Sequence, residues 1–288
     1  MKLASQSVCQ GPRAAKDADG RLAQLLGASR PIVMGILNVT PDSFSDGGRF
    51  LDPGAAIEHA RRMVAEGADL IDIGAESTRP YGTATPVSLS EEVRRLEPVL
   101  ATVAGLGVPV SIDTMKAQVA VSALAAGASI VNDVWGLQRD PDMAGVVARY
   151  AVPVIMMHNR ETVDPAIDIM ADIAAFFARS LDLAERAGIA HDRLVLDPGI
   201  GFGKTPEQSM AAIARLDRLK AFGLPLLVGA SRKRFIHAIA PSAPTERLGG
   251  SLAAHLLAVE NGAAIIRTHD VAPTVQALAV AAAIRRTR

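Results

Sequence analysis

Eight apolar runs recur along the chain: IVMGIL, ADLIDIG, VPVSID, ASIVND, VPVIMM, RLVLD, LPLLVG and AAIIR. They are rich in Val, Ile and Leu and short enough for buried strands. Each ends in a polar residue, in turn Asn38, Asp72, Asp113, Asn132, His158, Asp197, Ser231 and Arg267. The gaps between them read as amphipathic helices, over Pro53 to Glu66, Ser90 to Ala104, Met115 to Ala126, Pro141 to Tyr150, Ala166 to Ala187, Pro206 to Ala221 and Ala272 to Arg286. Pro53 and Pro141 suit a first helical turn, and Ser90-Glu91-Glu92 sets anionic groups at a positive helix end. Gly67, Gly127, Gly188, Gly223 and Gly262 fall where a helix must turn into the next strand. Strand and helix alternating in this way predict the α/β class and a single (β/α)8 TIM barrel, whose carboxyl-terminal rim gathers the polar residues.

The barrel is expected over residues 30–288, preceded by a small, polar extension over residues 1–29. Within the extension, DGRLAQLLG has the pattern for one or two helical turns covering the barrel floor. The stretch from Lys233 to Asn261 is too long for one helix and predicts a helical insertion before the eighth strand. On the rim, the longest connections run from Asn38 to Asp52 and from Ser77 to Ser88. Loops of that length in a compact fold are usually lids or binding elements, so these two are the expected moving parts.

Composition narrows the class of partner. Of 288 residues 49% are hydrophobic and 3% aromatic, as suits buried parallel strands wrapped by Ala-rich helices. Basic and acidic residues balance at 30 each, so nothing electrostatic favours nucleic acid or an anionic membrane. The lone Cys9 permits no intrachain disulfide, which is the pattern of a reducing compartment, and it is given no role. The opening residues lack a secretory core and no run approaches a membrane span, so a cytoplasmic protein is expected.

The motifs name a chemistry. NVTPDSFSDGG follows the first strand and GAESTRP the second; SIDT and ND mark the third and fourth. LDPGIGFGK, GASRKRF and RTHDV mark the sixth, seventh and eighth. Taken in this order, over about residues 31 to 285, the set closely resembles the dihydropteroate synthase family. That resemblance implies condensation of 6-hydroxymethyl-7,8-dihydropterin pyrophosphate with p-aminobenzoate, giving 7,8-dihydropteroate and pyrophosphate for folate synthesis. It also implies a sulfonamide target that is usually a homodimer.

Carried over residue by residue, the resemblance assigns the pterin to Asp113, Asn132, Asp197 and Lys233, with Asp113 also favouring the positive charge that develops on the ring. Pyrophosphate falls to Asn38, Arg267 and His269, and Asn38 also to Mg2+, for which an amide oxygen is a suitable hard ligand. Catalysis is given to Asp113, Lys233 and Arg267, and p-aminobenzoate to Phe44, Thr78, Arg79, Pro80 and Phe202. Residue chemistry alone leaves Asp113 equally suited to capping the next helix, His269 and Phe202 to packing, and Pro80 to an ordinary turn. His158 is read as supporting structure.

Two positions depart from the family pattern: Tyr81 stands before Gly82 where Gly commonly follows the Pro, and Arg234 stands where Ser often helps receive the substrate carboxylate. A dinucleotide reading of GIGFGK fails, because TPEQ rather than a Rossmann unit follows it and it comes after the sixth strand. Two rivals stay open at this level: a pterin-binding barrel that passes a methyl group to a corrinoid protein, and a silent paralogue that binds without turnover.

Overall fold

The computed structural model describes residues 18–28, 30–40, 52–76 and 87–287. Its first half runs α1 (Ala18–Leu26), β1 (Ile32–Asn38), α2 (Pro53–Ala65), β2 (Leu70–Gly74), α3 (Leu89–Ala104), β3 (Val110–Asp113), α4 (Ala117–Ala125), β4 (Ile130–Asp133) and α5 (Met143–Tyr150). The second half runs β5 (Val154–Met157), α6 (Ile169–Arg186), β6 (Leu194–Asp197), α7 (Pro206–Ala214), β7 (Leu226–Val228), α8 (Arg234–Ile239), α9 (Leu248–Glu260), β8 (Ala263–Thr268) and α10 (Val271–Arg285). All eight strands pair in parallel and in sequence order, and β8 closes on β1. The alternation of apolar runs and helices is thus a (β/α)8 barrel, and the expected insertion before β8 is the short helix α8 followed by a 3-10 turn.

Local chemistry sets the element ends. Asp52 accepts from the Gly54 N–H ahead of Pro53, Ser88 from Glu91, and Asp168 from Met170 and Ala171. Thr205 and Gln208 form a reciprocal capping box on α7. The five glycines expected to end helices all take positive φ.

Three expectations need correction. Pro141 is outside the first turn of α5, because Asp140 accepts from the N–H groups of Ala117 and Asp142 and holds the preceding chain in a turn. The helix expected over Pro206 to Ala221 stops at Ala214, where the Asn261 amide donates to the Ile213 carbonyl at 2.9 Å; a 3-10 stretch, Leu216–Phe222, follows. Asp72 does not end its strand. β2 continues through Ile73 to Gly74, which pairs with Asp113, so Asp72 lies one layer deeper than the rim.

Apolar packing divides the barrel in two. Outward strand residues such as Val33, Ile71, Ile112 and Leu196 pack against the helix ring. Inside, Ile32, Met34, Leu70, Ile130, Ile155, Val195, Leu227 and Ile265 fill the lower barrel, and Leu22 of α1 joins them from below. Above this plug the interior turns polar with Asp72, Ser111, Asn132 and Asp197, all buried. The closed floor leaves the upper end as the side from which a ligand can enter. No helix among the described residues is long and apolar enough to cross a membrane.

Candidate active site

The upper barrel holds a cleft with about 290 Å³ of atom-free space open to solvent, lined by Asp113, Asn132, Val134, Met157, Asp197, Ile200, Phe202, Gly229, Lys233 and Arg267. Every residue assigned to the pterin is in that lining, as are Arg267 and Phe202. The lining comes from β3, β4, β5, β6 and β8 and from the loops after β4, β6 and β7, which a barrel brings to one end although they are far apart in sequence.

Arg267 organises the floor of the cleft. Its Nε donates to Asp72 Oδ2 at 2.6 Å and its Nη2 to Asp113 Oδ2 at 2.8 Å, so two carboxylates grip one guanidinium. Asn132 Nδ2 donates to the same Asp72 oxygen at 3.1 Å. The fork and the amide are therefore set by one buried acid that does not itself line the cleft. Sequence reading missed this role; the available signal was a carboxylate between two isoleucines in the middle of a strand run. Gly229 lines the cleft beside Arg267, and a Cβ on it would meet the Arg267 side chain at 3.7 Å, an ordinary packing contact.

Four buried side-chain atoms in the upper barrel, Asp72 Oδ1, Ser111 Oγ, Asp113 Oδ1 and Asn132 Oδ1, have no hydrogen-bond partner among the described residues, and the last two belong to residues that line the cleft. Unsatisfied buried acceptors are costly, and N–H donors on a ligand would satisfy them. Burial, then the nearby charge of Asp72, pushes the Asp113 carboxyl up to about 7, with Arg267 opposing. Burial pushes Asp197 up to about 6 against the Gly199 N–H, which donates to its Oδ1 at 2.7 Å.

Lys233 reaches the cleft through a strained turn. Arg232 is in the left-handed region at φ 58°, which costs a non-glycine residue energy that its surroundings must offset. Its N–H donates to Ser251 Oγ at 2.9 Å, its carbonyl accepts from Arg247 at 3.0 Å, and its guanidinium grips Asp270. The turn leaves Lys233 extended at the N-cap of α8, with Nζ 4.1 Å from the centre of the Phe202 ring. Ser231 Oγ meets His269 Nδ1 at 3.0 Å and its backbone N–H at 3.2 Å, tying the β7 and β8 loops together.

Asn38 is half-buried at the end of β1 and pairs in register with Gly74, the neighbour of Asp113. Its side chain is thus on the same rim but is not part of the cleft lining. Phe44, Thr78, Arg79 and Pro80, with Cys9, Tyr81 and most of both long rim loops, lie outside the described residues.

A second polar cluster backs the cleft. Lys204, almost fully buried, donates to His158 Nδ1 at 2.7 Å, Gly199 O at 2.9 Å and Phe202 O at 3.1 Å. His158 Nε2 meets Asp172 at 3.0 Å, and Arg160 holds the same carboxylate oxygen at 2.9 Å. Burial and the Lys204 charge push His158 down to about 3, so it is the neutral imidazole, accepting at Nδ1 and donating at Nε2. Lys204 escaped the sequence reading, since a lysine after glycines reads as an exposed loop residue.

Comparison with known proteins agrees with this geometry. The model of the pterin binding enzyme family matches residues 34–269. Dihydropteroate synthase of Bacillus subtilis is 45% identical over 243 residues, covering 84% of each chain. A crystal structure of the Clostridium difficile enzyme in the presence of pteroic acid is 46% identical, with TM-score 0.85, covering 90% of this chain and 98% of that one. The Xanthomonas albilineans enzyme solved with 4-aminobenzoic acid matches at 46% identity and TM-score 0.85, over 89% of this chain and 94% of that one. The order of the motifs, the barrel that carries them and the identity along most of its length converge: this chain belongs to the dihydropteroate synthase family of pterin-binding enzymes.

Proposed function

We propose that the cleft carries out the family reaction as follows. The pterin edge lies against Asp113, Asn132 and Asp197, whose oxygens accept its N–H groups, with Lys233 on the ring. Arg267, His269 and Asn38 receive the pyrophosphate. The bond between the pterin methylene carbon and the pyrophosphate oxygen breaks with its electron pair leaving on pyrophosphate, and the aniline nitrogen of p-aminobenzoate supplies the new bond and then loses a proton. The positive charge that develops on the pterin is stabilised by the buried carboxylates Asp113 and Asp197, which are worth most when charge appears only in the transition state. Phe202, with Phe44, Thr78, Arg79 and Pro80, is assigned to p-aminobenzoate. The observation that carries the reading is the pair of buried, unpartnered acceptors on Asp113 and Asn132 beside a guanidinium held by two acids.

Mg2+ fits the rim on the chemistry of its donors. Asn38 offers one hard amide oxygen, and no group of three carboxylate, His or Cys side chains among the described residues would hold a metal by itself. An ion there would take its other ligands from the substrate phosphates and water, and it would supply charge that offsets pyrophosphate. We further assign the chain to the cytoplasm and, as the family resemblance implies, to a homodimer. Sedimentation of the purified protein tests the dimer.

The decisive assay supplies both substrates with Mg2+ and follows pyrophosphate release and dihydropteroate together. Equimolar products are expected; their absence removes this reading and leaves the two rivals, the corrinoid methyl-transfer barrel and the silent paralogue. In Arg267→Ala the pyrophosphate contribution to substrate binding should fall by about 1.5 to 3 kcal/mol, the worth of a charged hydrogen bond. Undiminished pyrophosphate affinity in calorimetry contradicts the assignment.

A further inference from the structure

The cleft wall from Asp197 to Phe202 is a six-residue segment whose backbone is pinned from behind. Gly199 is at φ 64°, and a Cβ on it would lie 1.9 Å from the His158 carbonyl oxygen, so the loop already rests on the end of β5. Its N–H holds Asp197 Oδ1, and its carbonyl receives both the Phe202 N–H at 3.1 Å and the Lys204 ammonium. The Phe202 carbonyl receives Lys204 as well. One side chain thus grips both ends of the segment that presents the Asp197 partner and the Phe202 ring.

We propose that Lys204 is a positioning residue for the pterin site, setting the Gly199–Phe202 loop so that Asp197 and Phe202 meet the substrate in fixed places. Lys204 does not line the cleft, so it acts through those two groups. Burial pushes the Lys204 ammonium down to about 7 while Asp197 and Asp172 hold it up; in that charged form three acceptors use all three of its N–H bonds, and the third, His158, is itself oriented by Asp172 and Arg160. The chain of contacts runs from the first turn of α6 through the end of β5 to the wall of the cleft. A buried lysine is seldom retained unless paired, and a neutral side chain of similar length would fill the same space without holding the carbonyls.

This inference rests on the pterin assignment of Asp197, and its test separates the two. Pterin pyrophosphate is titrated by calorimetry, without p-aminobenzoate, into the parent enzyme, Lys204→Met, Asp197→Asn and the double variant, each checked for folding by near-UV circular dichroism. Lys204→Met is expected to bind about tenfold more weakly, the scale of one charged hydrogen bond. In the Asp197→Asn background the same change should cost only about twofold, since residues acting through one another are not additive. A folded Lys204→Met with parent affinity, or full additivity in the double variant, overturns the role. Parent affinity in both single variants overturns the pterin assignment and the role with it. Should Lys204→Met fail to fold, His158→Phe replaces it: it leaves Lys204 in place with one acceptor fewer. A loss of about threefold or more supports the role and parent affinity overturns it.

Discussion

Asp72 shows how a residue outside the cleft decides what the cleft does. Its Oδ2 accepts from both Arg267 and Asn132, so replacing it with Asn weakens two contacts at once. Hydrogen bonds to a charged group are each worth about 1.5 to 3 kcal/mol, and losing them leaves both the guanidinium and the amide free to turn away from the substrate. Asp72→Asn should therefore lower kcat/KM at least about tenfold with the fold intact. A steady-state assay returning parent kcat/KM would sink this account of the floor. The residues reached by motif, Asp113, Asn132, Asp197, Lys233 and Arg267, share one lining, whereas Asp72 and Lys204 act at one remove and leave no motif-level trace. Spacing reports which side chains reach the rim; it does not report which buried partners aim them.

At the scale of elements, strand and helix identity was legible because the apolar period is strong, and the ends were less so because partners far along the chain set them. Asn261 ending α7 is a long-range event, invisible to a local pattern, and Asp140, whose local turn to Asp142 delays α5, is itself held by the distant Ala117 N–H. The helix α1 is a case where the local pattern sufficed: DGRLAQLLG gives one apolar stripe, and Leu22 on it completes the lower barrel core with Met34, Leu70 and Ile265. This plug is at the opposite end of the barrel from the cleft. Leu22→Ala should then cost about 2 kcal/mol or more of unfolding free energy while leaving kcat unchanged below the melting range. Urea unfolding and turnover on the same preparation check both halves, and a stability within error of the parent would detach α1 from the barrel core.

Across the whole molecule, the site and the fold make opposed demands. The barrel buries Asp113, Asp133 and Asp197 with their carboxyls pushed up to about 7, 6 and 6, each mainly by burial. A carboxyl whose folded pKa exceeds its unfolded value favours the fold most at low pH, below the unfolded pKa near 4, and that contribution is lost as pH rises through the folded pKa. For Asp113 the window runs from about 4 to about 7, and above it the fold carries a buried charge that Arg267 only partly offsets. Asp113→Asn removes that charge and keeps the shape. The variant should melt at a higher temperature than the parent at pH 8, by the equivalent of about 1 kcal/mol or more, and the gain should shrink towards pH 5, where the parent carboxyl is protonated. Buried His158 and His255, pushed down to about 3 and 4, are common to both proteins and cancel in the difference at each pH, whereas the repulsion between Asp72 and Asp113 is relieved in the variant and adds to the gain at high pH. The same substitution should abolish most turnover, because the charge that burdens the empty fold is the one the transition state uses. Calorimetric melts of both proteins at pH 5, 6, 7 and 8 decide it: a difference in melting temperature that stays flat or falls as pH rises would show that Asp113 is not the strained charge of the site.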